Sequence, residues 1–133
     1  MNREKLRSVL EAIRDEGFQK AKSWLRVNDC YSIEGAFCEM YRREHPDTSK
    51  WIEEGGTIYS FSDGGPVSNC SALTSKVVTW LGGTPARSGI SDFSIPGVGD
   101  LPNLNDSDRH FGQRTIAELA SFLLEHVDEI EVI

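Results

Sequence analysis

The sequence contains no long apolar run, and none of its apolar stretches approaches the roughly 18 residues that a membrane-spanning helix needs. Its N-terminus leads into an amphipathic pattern and has no apolar core of the signal-peptide kind. Cysteine is scarce, and three cysteines at irregular spacing make no framework of paired disulfides. These absences predict a cytoplasmic protein with reduced thiols and no membrane partner.

The patterns that mark a metal or a catalytic nucleophile are also missing. Cys30 and Cys38 lie eight positions apart, whereas structural zinc uses cysteines separated by two to four residues. An acidic stretch beginning at Asp106 departs from the calcium-loop spacing, because its glycine and its glutamate each come one residue late. No nucleophile-elbow pattern is present, and Cys38 beside an apolar helix stripe is expected to be inert. We therefore predict no metal and no cofactor.

Positive charge is limited, with 14 Lys and Arg against 21 Asp and Glu, a net charge of −7. Such a balance argues against general nucleic-acid binding, which needs cations that neutralise phosphates. Residues 51–133 contain four basic and twelve acidic groups, a local balance of −8. A solubilising acidic surface explains this excess, and attraction of a basic partner is the alternative.

The length and composition predict a single globular domain over residues 1–133, since 38% of the residues are hydrophobic and 26% are charged. The fold class predicted is α+β, with three to five helices packed against a small antiparallel sheet or hairpin. Apolar positions at helical spacing predict helical pieces in residues 3–15, 18–26, 32–44, 73–81 and 116–127.

Several residues predict where helices begin and end. Gly17 is expected to interrupt the first helical stretch, and Pro46 to stop the third. Thr115 and Glu118 fit a capping box at the start of the last helix. Gly35 stands inside a predicted helix, where glycine costs stability unless another backbone approaches closely.

The remaining chain is predicted to hold short strands and a long loop. Aromatic and β-branched residues in 51–61, around Gly55-Gly56, predict one or two strands or a hairpin. Alternation in the tail, residues 129–133, predicts an edge strand, and a frayed chain end is the alternative. Residues 82–113 are rich in glycine, proline and short polar side chains, and we expect a long irregular loop there.

This predicted loop is also the candidate binding site. Backbone N–H groups in a glycine-rich stretch can surround a phosphate while arginine binds it through two hydrogen bonds. A polar turn and two further positive groups lie at the far end of the same loop, and a plain surface loop is the alternative interpretation. The predicted ligand-binding residues are Arg87, Ser88, Asn105, Asp106, Arg109 and His110.

An ordered set of short motifs extends over most of the chain. The motifs are Gly17-Phe18-Gln19, Leu25-Arg26, Asp29, Tyr31, Gly35, Phe37-Cys38-Glu39-Met40-Tyr41, Trp80-Leu81-Gly82, Leu104-Asn105-Asp106-Ser107 and Ile116-Ala117-Glu118-Leu119. In this respect residues 15–41 and 72–127 resemble a family of small uncharacterised bacteriophage and prophage proteins. Where that family often has two adjacent cysteines followed by Leu-Gly, this chain has Ser32-Ile33-Glu34-Gly35, so any role of paired thiols is absent here.

The resemblance implies a phage accessory protein of the host cytoplasm and implies no reaction. Our leading hypothesis is non-enzymatic binding of a host protein or of a small anionic, nucleotide-like ligand. One alternative is a small hydrolase or transferase acting on a nucleotide-like substrate through Asp106, Arg109 and His110. Another alternative is a structural component of a phage assembly. Analogy with small phage proteins makes a homodimer a further expectation.

Overall fold

The computed structural model describes residues 3–68, 72–86, 90–106 and 114–132, and within them the chain forms an α+β fold, as predicted. The α-helices in these residues are α1 Arg3–Glu16, α2 Ile33–Glu44, α3 Ser75–Trp80, α4 Leu101–Asp106 and α5 Ile116–Glu125. A short 3-10 turn, Val127–Glu129, follows α5. No helix in this described part of the chain is long and apolar enough to cross a membrane.

Ten short strands complete the described part of the fold. They are β1 Gln19–Lys20, β2 Arg26–Val27, β3 Cys30–Tyr31, β4 Lys50–Glu54, β5 Ile58–Ser62, β6 Leu73–Thr74, β7 Ile90–Ser91, β8 Phe93–Ile95, β9 Gly99–Asp100 and β10 Glu131–Val132. The largest sheet has the order β1-β3-β2-β5-β4, with β1 and β3 parallel and the other neighbours antiparallel. A second sheet has the order β10-β8-β9, and β6 pairs with β7.

The helices α1 and α5 pack side by side, and their apolar stripes enter one shared core with α2, α3 and the strands. The buried residues of the two stripes are Leu6, Val9, Leu10, Ile13, Ile116, Leu119, Ala120 and Leu123. The start of α1 is tied to the end of the chain, because Arg3 Nη1 donates to the carbonyl oxygens of Val127 (2.8 Å) and Ile130 (2.6 Å).

The start of α2 lies in close contact with the backbone of Leu25. A Cβ on Gly35 would lie 1.8 Å from the carbonyl oxygen of Leu25, so only glycine fits without a shift of the backbone. The hydroxyl of Ser32 caps this helix by accepting from Gly35 N at 3.1 Å. The predicted reason for a mid-helix glycine, a close backbone approach, is confirmed.

A carboxylate network anchors α2 to the large sheet. Glu39 is buried and accepts from Arg42 through two bonds of 2.8 Å, from Arg43 at 3.0 Å and from Trp51 Nε1 at 2.9 Å. Burial alone would raise the pKa of Glu39, but the hydrogen bonds from these three partners outweigh it and hold the pKa at about 2. The carboxylate is therefore ionised and fully used in holding the fold together.

Most predicted boundaries are confirmed. Gly17, with φ of +74°, ends the first helix in a turn, and α2 ends with His45 as its C-cap, next to the predicted stop. Residues 51–61 lie in the β4–β5 hairpin, and the tail pairs with β8 as an edge strand. The capping box of Thr115 and Glu118 is present in both directions.

The helical piece predicted over residues 18–26 is wrong. The segment forms β1, a series of bends over residues 22–25 and the start of β2, with Ala21 and Leu25 buried. Ala21 N donates to Tyr31 O, and Ser32 N donates to Leu25 O. Ser23 has φ of +71°, a left-handed conformation that a helix interior does not accommodate. Pairing with β3 therefore outweighs the helical periodicity of this segment.

The prediction of an irregular loop over residues 82–113 is wrong in the described part. Strands β7, β8 and β9 and helix α4 occupy positions 90–106. Phe93, Ile95, Leu101 and Leu104 are buried in the core. Strands of two or three residues show too little alternation to be recognised locally, and their partners β6 and β10 lie far away in sequence.

We predict that Gly35→Ala lowers the free energy of unfolding by about 3 kcal/mol, because the added methyl group would meet the Leu25 carbonyl. Urea unfolding measures this loss. Gly17→Ala is the matched control, since nothing lies within 4 Å of its added Cβ and only the left-handed backbone costs about 1–2 kcal/mol. Equal losses in the two variants would contradict the close approach.

We predict that Glu39→Gln lowers the free energy of unfolding at pH 7 by about 2–3 kcal/mol, a figure reduced for the partial exposure of both arginines. Because the folded-state pKa is depressed from 4.5 to about 2, the stabilisation is complete above about pH 4.5 and is lost as the pH falls through about 2. Denaturant titrations from pH 2 to pH 7 measure the difference between wild type and variant. Glu53→Gln, at an exposed position of β4, should change stability by less than about 0.5 kcal/mol. A difference that does not depend on pH would contradict the assignment.

Candidate functional site

Two of the predicted ligand-binding residues lie at the end of α4 and make internal hydrogen bonds. Asn105 is buried; its Oδ1 accepts from Ile33 N at 3.0 Å, and its Nδ2 donates to Ala21 O at 2.9 Å. Asp106 accepts from Ser23 N at 3.1 Å and from Asn105 Nδ2 at 2.7 Å. In the structure both side chains join α4 to α2 and to the segment that precedes β2.

The other predicted ligand-binding residues, Arg87, Ser88, Arg109 and His110, lie outside the described residues. The same holds for the stretch after Asp106 that was compared with a calcium loop. The prediction for these positions stays a prediction.

A cavity with a volume of about 580 Å³ lies between β1, β3 and the start of α5. It is open to solvent and within the size range of pockets for small molecules. The lining residues are Gly17, Phe18, Gln19, Lys20, Cys30, Arg114, Thr115 and Ala117.

One wall of the cavity results from the turn after α1. The left-handed Gly17 reverses the chain into β1, which pairs in parallel with β3 so that Gln19 lies opposite Cys30. The ring of Phe18 packs edge-on against Tyr31, with centroids 5.1 Å apart. This contact keeps Phe18 at the cavity, where it supplies an apolar surface.

The opposite wall is the first turn of α5. Thr115 Oγ1 accepts from Glu118 N at 3.1 Å, and Glu118 Oε1 accepts from Thr115 N at 3.0 Å. This capping box orients the first turn so that Thr115 and Ala117 face the cavity. Arg114 precedes the cap and lies at the cavity rim.

Two cations, Lys20 and Arg114, line the cavity, and the described lining contains no carboxylate. The nearest acidic group of the cap, Glu118, has a lowered pKa, first because it accepts from the Thr115 backbone and also because Arg114 and Lys20 are close. Glu118 is thus ionised, but its oxygen is occupied by the cap. The cavity is a positively charged pocket in a chain of net charge −7.

The cavity lacks the parts of a nucleophilic site among its described residues. Cys30 is a partly exposed thiol beside Gln19, at 3.8 Å from Oε1, and no imidazole lines the cavity. Cys38 is buried, and burial, with Glu34 nearby, raises its pKa well above the usual value, in line with the predicted inert thiol. No group of three His, Cys, Asp or Glu side chains in the described ranges is arranged to hold a metal ion.

Comparisons with known proteins give no match to this chain among protein-family models, curated proteins or solved structures.

Sequence reasoning did not find this cavity. Lys20 and Arg114 are 94 positions apart, and Lys20 lies within residues 18–26, where the predicted helix does not form. Two of the family-like motifs contribute to the cavity walls. They are Gly17-Phe18-Gln19 at one wall and Ile116-Ala117-Glu118-Leu119 at the other. Their meeting depends on the tertiary packing of α1 against α5.

We predict that iodoacetamide alkylates Cys30 in the folded protein, whereas Cys38 reacts about a hundredfold or more slowly, because it is reached only after opening of the core. Peptide mass spectrometry of timed samples measures each site separately. In denaturing urea the two cysteines should react at similar rates. Equal reactivity in the folded protein would contradict the described burial of Cys38.

Proposed function

We propose that this protein is a non-enzymatic binding protein for a small anionic ligand that has an apolar or aromatic part, a class that includes nucleotide-like molecules. The binding site is the cavity between β1, β3 and the start of α5. The observation that carries this proposal is the joint presence of Lys20 and Arg114, without a carboxylate, in the lining of a cavity of about 580 Å³.

The charge of the lining favours an anion. In an acidic protein a random surface depression would contain carboxylates, and the neighbouring shallow depression along α5 indeed contains Glu118 and Glu125. Arginine binds phosphate or carboxylate groups through two parallel hydrogen bonds, and lysine adds a second positive charge. An anionic group between the two would be attracted by both.

The rest of the lining favours an apolar part of the ligand. Phe18 and Ala117 face the cavity, and the aromatic ring provides a surface on which a planar group can stack. Polar groups that orient a ligand beside apolar walls are the usual composition of a small-molecule site. Because the described lining has no nucleophile paired with a base, binding without conversion is the simplest chemistry for it.

The biological setting follows from the family resemblance and belongs to the same proposal. A phage-type accessory protein in the host cytoplasm would use such a cavity to sequester an anionic host metabolite. Binding of a host protein or a role in a phage assembly would leave the cavity without this ligand, whereas a small enzyme would bind the ligand and convert it.

We predict that adenosine monophosphate (AMP) binds to the protein in calorimetric titrations and that adenosine binds at least about tenfold more weakly, because it lacks the phosphate. Fluorescence provides the same comparison with two dyes, anionic 1-anilinonaphthalene-8-sulfonate and neutral N-phenyl-1-naphthylamine. Arg114→Gln should weaken binding of both anions about tenfold or more. Ala117→Phe should weaken it by filling the cavity without a change of charge.

Lys50→Gln is the matched control, because this lysine is exposed on the edge strand β4, away from the cavity. It should leave the affinities unchanged. Equal binding of neutral and anionic probes, no effect of Arg114→Gln, or no binding of either anion at millimolar concentration would each overturn the proposal. Conversion of AMP during the titration would favour the enzyme alternative.

A further inference from the structure

Glu34, in the first turn of α2, is a fully buried carboxyl group without a hydrogen-bond partner. Its exposed fraction is 0%, and neither Oε1 nor Oε2 accepts a hydrogen bond in the described structure. Buried side-chain oxygens almost always have partners, and an isolated buried charge is very costly. A buried carboxyl group of this kind has to be neutralised by a cation or by a bound proton.

The titratable groups that face Glu34 from the surrounding elements are acidic. They are Asp92 just before β8, Asp100 in β9 and Asp106 at the end of α4, while Cys38 lies one turn further along α2. None of them can supply a positive charge. No described lysine, arginine or histidine donates to Glu34, and the described residues contain no cluster able to hold a metal ion. Among the groups that the described residues offer, a proton is the neutralising group that remains.

The electrostatic environment supports bound protons. Burial raises the pKa of Glu34 well above its usual value, and Asp92 raises it further. Burial also raises the pKa of Asp92 to about 8, despite a hydrogen bond of 2.8 Å that its Oδ1 accepts from Phe93 N. The buried carboxyl of Glu34 and the half-buried carboxyl of Asp92 therefore both favour the protonated form.

The protonated pair lies where one part of the chain docks onto another. Helix α4 packs against α2, and its Asn105 accepts from Ile33 N, the residue next to Glu34. Helix α4 directly follows β9, which pairs with β8, and Asp92 immediately precedes β8. The residues that face Glu34 thus belong to a continuous segment, residues 92–106, that we call the docking segment.

We propose that Glu34 and Asp92 form a proton-binding site that acts as a pH-sensitive latch between α2 and the docking segment. With protons bound, the two carboxyls are neutral and the segment stays docked on α2. Loss of the protons places two like charges in a buried position, and the segment opens so that water can solvate them. The latch requires neither the cavity ligand nor the proposed function.

The direction of the pH effect follows from the raised folded-state pKa values. The undocked carboxyls have ordinary values of 4.5 for Glu34 and 3.8 for Asp92, so docking takes up protons above these values. The stabilising effect is complete below about pH 4, falls as the pH rises, and is lost once the pH passes through the folded-state values. The equilibrium constant for opening rises by up to about tenfold per pH unit for each proton.

The test is native-state hydrogen exchange from pH 5 to pH 8, corrected for intrinsic exchange rates. The amides of Ile33 and Phe93 report on the latch, and amides of the β4–β5 hairpin report on the rest of the fold. In the wild type, protection of the latch amides should fall at least tenfold more than in Glu34→Gln, which cannot lose a proton. Glu11→Gln, exposed on α1, should behave as wild type.

A second measurement uses wild-type protein alone and does not depend on the variant folding. The carboxyl carbon of Glu34, observed by carbon-13 NMR, should titrate well above pH 4.5. A midpoint near 4.5, the same pH dependence in wild type and Glu34→Gln, or an equal loss of protection in the hairpin would each overturn the latch.

Discussion

The contact on which the rest of this structure depends is the burial of the first turn of α2 against the backbone of Leu25. Gly35 allows the Leu25 carbonyl to approach, and the same carbonyl accepts from Ser32 N at 3.1 Å. Asn105 satisfies the neighbouring amide of Ile33. Because three separate segments meet at one helix start, the position of each of them is determined by the other two.

This junction connects the two chemically distinct regions of the molecule. Asn105 binds the carbonyl of Ala21, which directly follows β1, and β1 forms a wall of the cationic cavity. The same asparagine belongs to α4, which packs against α2 near the buried carboxyl group of Glu34. The fold thus places excess positive charge in an open cavity and excess acidic groups in the interior. The hydrogen bonds of Asn105 to Ala21 and to Ile33 connect these two regions.

Sequence patterns were sufficient wherever the information is local. The apolar stripes of α1, α2 and α5, the capping box of Thr115 and the β4–β5 hairpin all depend on residues within a few positions of each other. Long-range pairing is what the patterns could not show. Residues 18–26 have helical periodicity, yet hydrogen bonds to Tyr31 and to Ser32 hold them in short strands and bends. The short strands β7 and β8 exist because the distant strands β6 and β10 complete them.

The sequence by itself determined the α+β class, the principal helices and the need for a backbone contact at Gly35, since periodicity, capping and glycine geometry act over short distances. Only the tertiary structure decided where charge is concentrated. Lys20 and Arg114 line one cavity because α1 packs on α5. Glu34 occupies an ordinary acidic position in the first turn of a helix and becomes a buried carboxyl only in the packed fold, in which α4 packs against α2. Electrostatic environment is a property of the packed chain, because it depends on which residues exclude water from which charge.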